Sequence, residues 1–333
     1  MLPEQLPIPV SLLDLALITE GSNAGDTYHK TVEIARKADE LGYQRMWLAE
    51  HHNMPYVAST ATVVLIGHIA GQTRNIRVGS GGIMLPNHSP LVVAEQFGIL
   101  ATLYPGRIDL GLGRAPGTDQ VTAQALNKDF FTAAQEFPKN VALIQQYLSA
   151  DNASGKVRAF PAEGLDIPIW ILGSSMDSAV LAARYGLPYA FASHFAPAQF
   201  FRAIAHYRAH FQPSPYLSAP KVMACVNMIT ADTQEEAESL ATSFYRMFLN
   251  LVRGTRTPLQ PPIPNMDGVW SEYEKSAVQQ MTAHSFIGDP ETIRKNLGDF
   301  YRISKVDEIM ITMPVYSHEA RLKNLEYCRS LFE

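Results

Sequence analysis

Short apolar runs alternate with amphipathic stretches along almost the whole chain. Residues 10–17 (VSLLDLAL) read as a buried strand, and Asp26 then caps a helix over 27–41 that stops at Gly42. Residues 43–49 form a second strand, followed by a helix over 59–71 with Ser59 at its start. The run 76–85 (IRVGSGGIML) is a third strand interrupted by glycines, and 91–103 a helix ended by Pro105-Gly106. Strands at 107–112, 168–172, 187–192, 222–229 and 306–313 continue the pattern. The helices among them lie near 138–148, 177–185, 197–210, 234–251, 290–304 and 318–331.

Eight apolar strands, each followed by a helix, predict a (β/α)8 TIM barrel of class α/β, with a doubly wound open sheet as the alternative. The whole chain, 1–333, reads as one domain. Between the seventh and eighth strands lies a long insertion of roughly seventy-five residues, far beyond an ordinary loop. Its Pro-rich centre, about 253–285, is expected to cross one barrel end as a lid.

Composition adds exclusions. The chain is 47% hydrophobic and 18% charged, with a net charge of −5 and a pI near 6.1. It shows no basic stripe for nucleic acid and no apolar run of the ~18 residues that a membrane helix needs. Cys225 and Cys328 lack metal-ligand spacing and read as reduced thiols, and the amino terminus lacks a signal-peptide pattern. A cytoplasmic protein is expected.

The chemistry gathers at strand ends. Asp14 lies in the first strand, and Glu50, His51 and His52 follow the second within WLAEHHN. Ser80, Gly81, Gly82 and Met84 lie in the third, and Arg114 ends the fourth. Gly173, Ser174, Ser175 and Ser178 follow the fifth, and His194 the sixth. In a (β/α)8 barrel these ends share one mouth. Each also has a plainer reading: a hydrogen-bonded structural histidine, a glycine bulge, a surface ion pair at Arg114. Adjacent residues in extended chain face opposite ways, so His51 and His52 do not readily share one ion, and no metal is expected. Serine hydroxyls and free N–H groups at the helix start after the fifth strand suit an anion.

Taken together, WLAEHH, VGSGGIMLPNHSP, AEQFGILATLYPGRIDLGLGRAP, GSSMDSAVLAARYGLP and GDP resemble, in order, the bacterial luciferase-like flavin-dependent monooxygenases, and nearly the whole chain participates. The nearest likeness is to single-chain oxidoreductases of that family carrying SLLDL, AEHHN and LGRAPG. The resemblance implies FMN, reduced by a separate NAD(P)H-dependent flavin reductase, and oxygen chemistry through a C4a-(hydro)peroxyflavin on a small organic substrate. It places Arg114, Gly173, Ser174, Ser175 and Ser178 around the flavin phosphate, and Ser80, Gly81 and Gly82 beneath the ring, where the family has a cis peptide. It sets His51 at the ring's reactive edge as the catalytic residue and Glu50 beside it in a positional role. Gly113 stands where luciferase carries a reactive cysteine, so light emission is not carried over. Asp14, His52, Met84 and His194 are candidates for lining the substrate space. A homodimer through the helices at 59–71 and 91–103 is implied. The alternatives are a deazaflavin (F420)-dependent hydride-transfer oxidoreductase and a non-catalytic FMN-binding protein.

Overall fold

A computed structural model of the chain describes residues 5–127 and 129–333. In chain order its elements are β1 (Val10–Asp14), α1 (Ala24–Glu40), β2 (Arg45–Leu48), α2 (Thr62–Gln72), β3 (Arg77–Ser80), β4 (Ile83–Met84) and α3 (Pro90–Leu103). They continue with β5 (Ile108–Gly113), α4 (Gln120–Leu126), α5 (Phe130–Gln135), α6 (Phe137–Leu148), β6 (Ile169–Gly173), α7 (Met176–Tyr185), β7 (Tyr189–Phe191) and α8 (Phe200–His210). The last are β8 (Val222–Thr230), α9 (Gln234–Val252), α10 (Glu272–Met281), β9 (Ser285–Gly288), α11 (Pro290–Ser304), β10 (Glu308–Thr312) and α12 (His318–Ser330).

The order β10-β1-β2-β3-β5-β6-β7-β8 closes on itself because β10 pairs with both β1 (Val10↔Ile309) and β8 (Glu308↔Met223), and every pairing is parallel. That is the expected TIM barrel, and the open sheet is excluded. The two short extra strands, β4 and β9, pair with β5 and β8.

Strand parity sorts the side chains. Leu12, Met46, Leu48, Val78 and Ile311 face outward into the main core against the helices. Leu13, Trp47, Trp170, Met223, Cys225 and Met310 fill the barrel interior. Below them, at the strand starts, lies a buried charged layer. Arg45 donates to Asp109 (2.6 Å) and twice to Glu308 (2.7 and 3.1 Å), Arg77 also reaches Asp109, and Ser11 donates to Glu308. A bidentate guanidinium is what makes two carboxylates tolerable there.

Several boundaries depart from the sequence reading. α1 begins earlier than expected because Asn23, not Asp26, caps it, accepting from the Asp26 N–H. Ser59 does not cap α2; its hydroxyl donates to the Ala49 carbonyl and ties the loop back to β2. The third strand is split into β3 and β4 around Gly81-Gly82, whose peptide bond is cis. Two helices, α4 and α5, occupy a connection that the pattern left blank, and α10 and β9 lie inside the long insertion.

The insertion packs on its own apolar cluster of Ile229, Phe244, Phe248, Met266, Val278 and Val315. Between α9 and α10 its chain runs as a strap. Leu259 exchanges backbone hydrogen bonds with Ile18 and Glu20, and Arg256 reaches the loops after β2 and β5.

Candidate active site

The strand ends deliver polar groups in two directions. Along β2 and its continuation, Arg45 and Trp47 point inward and His51 keeps that parity, facing a cavity; Glu50 and His52 point outward. The cavity, of about 220 Å³, sits at the carboxyl-terminal mouth of the barrel. Its walls are Leu15 and Leu17 after β1, His51, Met54, Tyr56 and Val57 after β2, and His194 and Phe195 after β7. Asn227 of β8 and Thr312 of β10 line it from the barrel; Met247, Phe248, Asn250 and Leu251 of α9, strap residues Thr255 and Thr257, and Met281 line it from the insertion.

His51 is held by the loop after β5. Its Nδ1–H donates to the Gly117 carbonyl at 3.2 Å, an assignment fixed by the acceptor, so Nε2 is the ring's free acceptor. Burial lowers the His51 pKa more than the Gly117 bond raises it, so the ring is neutral near pH 7. The same Gly117 carbonyl accepts from the His52 N–H (3.2 Å), and Thr118 Oγ1 donates to the His52 carbonyl. Gly117 has φ +65°, and a Cβ there would stand 2.5 Å from the Glu50 carbonyl oxygen, so a larger residue does not fit.

His194 stands across the cavity. Its Nδ1 is enclosed and has no hydrogen-bond partner among the described residues. Burial, then the neighbouring His51, lowers its pKa to about 3. The backbone carbonyl of His194 accepts from Asn227 Nδ2 (2.6 Å), which, with a second bond to Ser285 Oγ (2.9 Å), fixes that amide.

Glu50 is buried and turned away from the cavity. It accepts from His52 Nε2 (2.9 Å), His88 Nε2 (2.9 Å), Asn87 Nδ2 (3.1 Å) and the Met84 N–H (3.0 Å). Burial alone raises a carboxyl pKa, but the bonds from His52 and His88 outweigh it and bring Glu50 to about 2. It pins the segment after Gly82 to the end of β2. Gly81 and Gly82 lie between this clamp and β5: a Cβ on Gly81 would meet Leu13, and one on Gly82 the Gly111 carbonyl oxygen at 2.9 Å.

On the other side, a cleft of about 510 Å³ is bounded by Arg114, Asp177, Ser178, Arg184 and Leu172. Arg114 is half exposed and contacts Asp177 at 3.2 Å. Ser175 is the N-cap of α7 and makes no side-chain capping bond. Two arginines, a serine-rich helix start and the first-turn N–H groups beyond Met176, whose own N–H goes to Gln199 Oε1, suit an anion such as the FMN phosphate. The partly open Gly81 surface and the unpartnered His194 Nδ1 suit a flat polar ring system between cleft and cavity. The residues present fit the cofactor that the sequence motifs imply.

Not every expected residue converges. Asp14 belongs to the outward set of β1. It accepts from Thr31 Oγ1, the Ala16 N–H and Arg321 (2.9 Å), away from the cavity. His52 and Met84 pack outside the lining, on Glu50. The Ser80 hydroxyl is buried, donating to the Gly111 carbonyl (2.8 Å) and accepting from its N–H (3.0 Å), and so bridges β3 to β5. The Ser178 hydroxyl is engaged by the Ser175 carbonyl (2.7 Å) and Tyr189 Oη (2.9 Å). Asn227, Thr312, Gly117 and Arg184 were not singled out by the sequence. Asn227, the one amide inside VMACVNMIT, was the readable signal. Among the described residues no group of His, Cys, Asp or Glu is arranged to hold a metal, and no helix is long and apolar enough to cross a membrane.

Comparison with known proteins bears on the family and the fold. A family profile described as luciferase-like monooxygenase matches residues 9–307. A luciferase-like monooxygenase of Escherichia coli (strain K12) is 49% identical over 326 residues, covering 98% of this chain and 97% of the relative. The N-acetyl-S-alkylcysteine monooxygenase of Bacillus subtilis (strain 168) is 38% identical over 240 residues, 69% of this chain and 70% of its own. The solved structure of the oxygenating constituent of 3,6-diketocamphane monooxygenase from Pseudomonas putida, in complex with FMN, shares the fold. Its TM-score is 0.72 at 15% identity, over 97% of each chain. The chain belongs to the luciferase-like monooxygenase family.

Proposed function

We propose that this protein is the oxygenase component of a two-component flavin-dependent monooxygenase. It takes reduced FMN from a separate NAD(P)H-dependent flavin reductase and uses O2 to oxidise a small organic substrate. The observation that carries this reading is the pairing of His51 and His194 over one cavity at the barrel mouth, with the arginine-lined cleft on the other side of Gly81-Gly82. Reduced flavin, when bound, supplies the electron pair that lets one oxygen atom enter the substrate while the other leaves as water.

The residues divide the remaining work. Arg114, with Ser174, Ser175 and the first turn of α7 beside Gly173, would hold the phosphate, Arg114 exchanging Asp177 for it. Ser80 and Ser178 shape the backbone around that site through their internal bonds. His51 takes up and returns a proton at Nε2, its orientation set by Gly117. Glu50, ionised above a pKa of about 2, positions rather than donates. The strap acts as a lid that keeps water off the reacting atoms. Support for a homodimer lies on α2 and α3, where Val64 (70%) and Leu103 (63%) are exposed.

The test is oxygen uptake with an NAD(P)H-driven flavin reductase supplying reduced FMN and a panel of small organic compounds. Uptake above the free-flavin background, with a compound-dependent fall in peroxide yield, is the expected result. No excess uptake, together with binding of the deazaflavin coenzyme in place of FMN, would replace this reading by hydride transfer.

A further inference from the structure

We propose that the substrate is an uncharged, largely apolar small molecule, and that carboxylates, sulfonates and ammonium compounds are rejected by the cavity lining itself. The proposal rests on reading the cavity as the substrate space of the monooxygenase. None of the residues lining it is Asp, Glu, Lys or Arg. The charged groups nearby are already committed. Arg256 at the rim pairs with Asp119 at 2.8 Å, Asp14 behind β1 pairs with Arg321 at 2.9 Å, and Glu50 turns outward to His52 and His88. An ion entering the cavity therefore meets no counter-charge, and burying an unpaired ion is strongly unfavourable.

The two imidazoles do not supply the missing cation. Both are shifted toward the neutral form by burial, and His194 lies in addition in the field of His51. What remains polar is Asn227 and Asn250, whose amide N–H groups are already donated within the protein, and the hydroxyls of Thr255, Thr257, Thr312 and Tyr56. Hydroxyls of this kind satisfy a carbonyl, hydroxyl or ether oxygen but do not neutralise a full charge. The rest of the wall is aliphatic or aromatic, and Met54, Met247 and Met281 make it adaptable in shape. The lining thus selects by charge more sharply than by outline. A substrate such as that named for the Bacillus relative carries a carboxylate, and this cavity has no group to receive it.

The test is isothermal titration of the full-length chain with matched neutral and charged probes. Cyclohexanone is set against cyclohexanecarboxylate, methyl phenyl sulfide against (phenylthio)acetate, and hexanal against hexanoate. The neutral member of each pair is expected to bind about 100-fold more tightly than its anion. Leu251→Arg places a cation at a half-exposed lining position, where folding tolerates it, and is expected to raise carboxylate affinity at least about tenfold. Anions that bind as tightly as their neutral partners to the unmodified chain would overturn the proposal, as would failure of every neutral probe to bind. Because no flavin is present, failure of the monooxygenase reading shows in the oxygen assay and leaves this measurement unaffected.

Discussion

Replacing Arg45 by Met tests whether the charged layer at the bottom of the barrel is held by pairing. Arg45 is 4% exposed and is the chief partner of Glu308, which otherwise accepts only from the Ser11 hydroxyl among the described residues. Asp109 keeps Arg77 and Trp47 after the change, so the deficit falls on Glu308. One buried carboxylate left without its counter-ion costs about 3–5 kcal/mol, out of a total stability of about 5–15. In urea unfolding followed by tryptophan fluorescence and far-ultraviolet dichroism, the midpoint should fall by about 1 M or more. Adding Glu308→Gln removes the orphaned charge, and the double variant should recover to within about 2 kcal/mol of the parent. A single variant that loses less than about 1 kcal/mol, or a double variant that is simply additive, would refute the reasoning.

Other consequences follow from the same geometry. Burial holds the His284 pKa down to about 4, and its Nδ1 has no partner among the described residues. A group whose folded pKa lies below its unfolded value of 6.5 contributes stability that is present above pH 6.5 and lost as pH falls toward 4. The His284→Phe variant, placed among Phe200, Phe201 and Phe300, should show a flatter fall of the urea midpoint over that window; an unchanged slope would count against it. Gly117→Ala should displace the acceptor of His51 Nδ1 and, besides the stability lost to its clash with the Glu50 carbonyl, lower monooxygenase turnover per folded molecule by about 10- to 100-fold. A loss of turnover no greater than the loss of folded protein would show that Gly117 is only structural. Arg256→Ala removes the tie from the strap to Asp119 and the Asn53 carbonyl, and should speed limited proteolysis near 253–260 about two- to fivefold, with high salt imitating it on the unmodified chain. A strap of unchanged protease sensitivity would mean that the apolar cluster alone holds it.

The barrel was legible because strands buried on both faces read as continuous apolar runs, as in VMACVNMIT, and because their end residues fall at one mouth by topology alone. Orientation was harder. Asp14 was expected to line the substrate space, yet parity along β1 turns it out to Arg321, a partner 307 positions away. The same parity, applied through β2, separates inward His51 from outward Glu50 and His52. Charges inside apolar runs, Asp109 in RIDLGL and Glu308 in VDEIMITM, were visible, but the Arg45 that joins them lies on a different strand. The α4 and α5 segments were missed because they are short and largely exposed, with Ala123 the one buried residue between them and so no period to read. Arg256 and Asp119 meet across 137 positions and leave no local signal.

The most direct measurement of the central claim is anaerobic titration of FMN, oxidised and photoreduced, against the unmodified chain and Arg114→Ala. Tight binding of reduced FMN, weaker binding of the oxidised form, and loss of about 1.5–3 kcal/mol in the variant are predicted from a charge-assisted phosphate contact. Reduced FMN that fails to bind, or binds equally well without Arg114, would contradict the account.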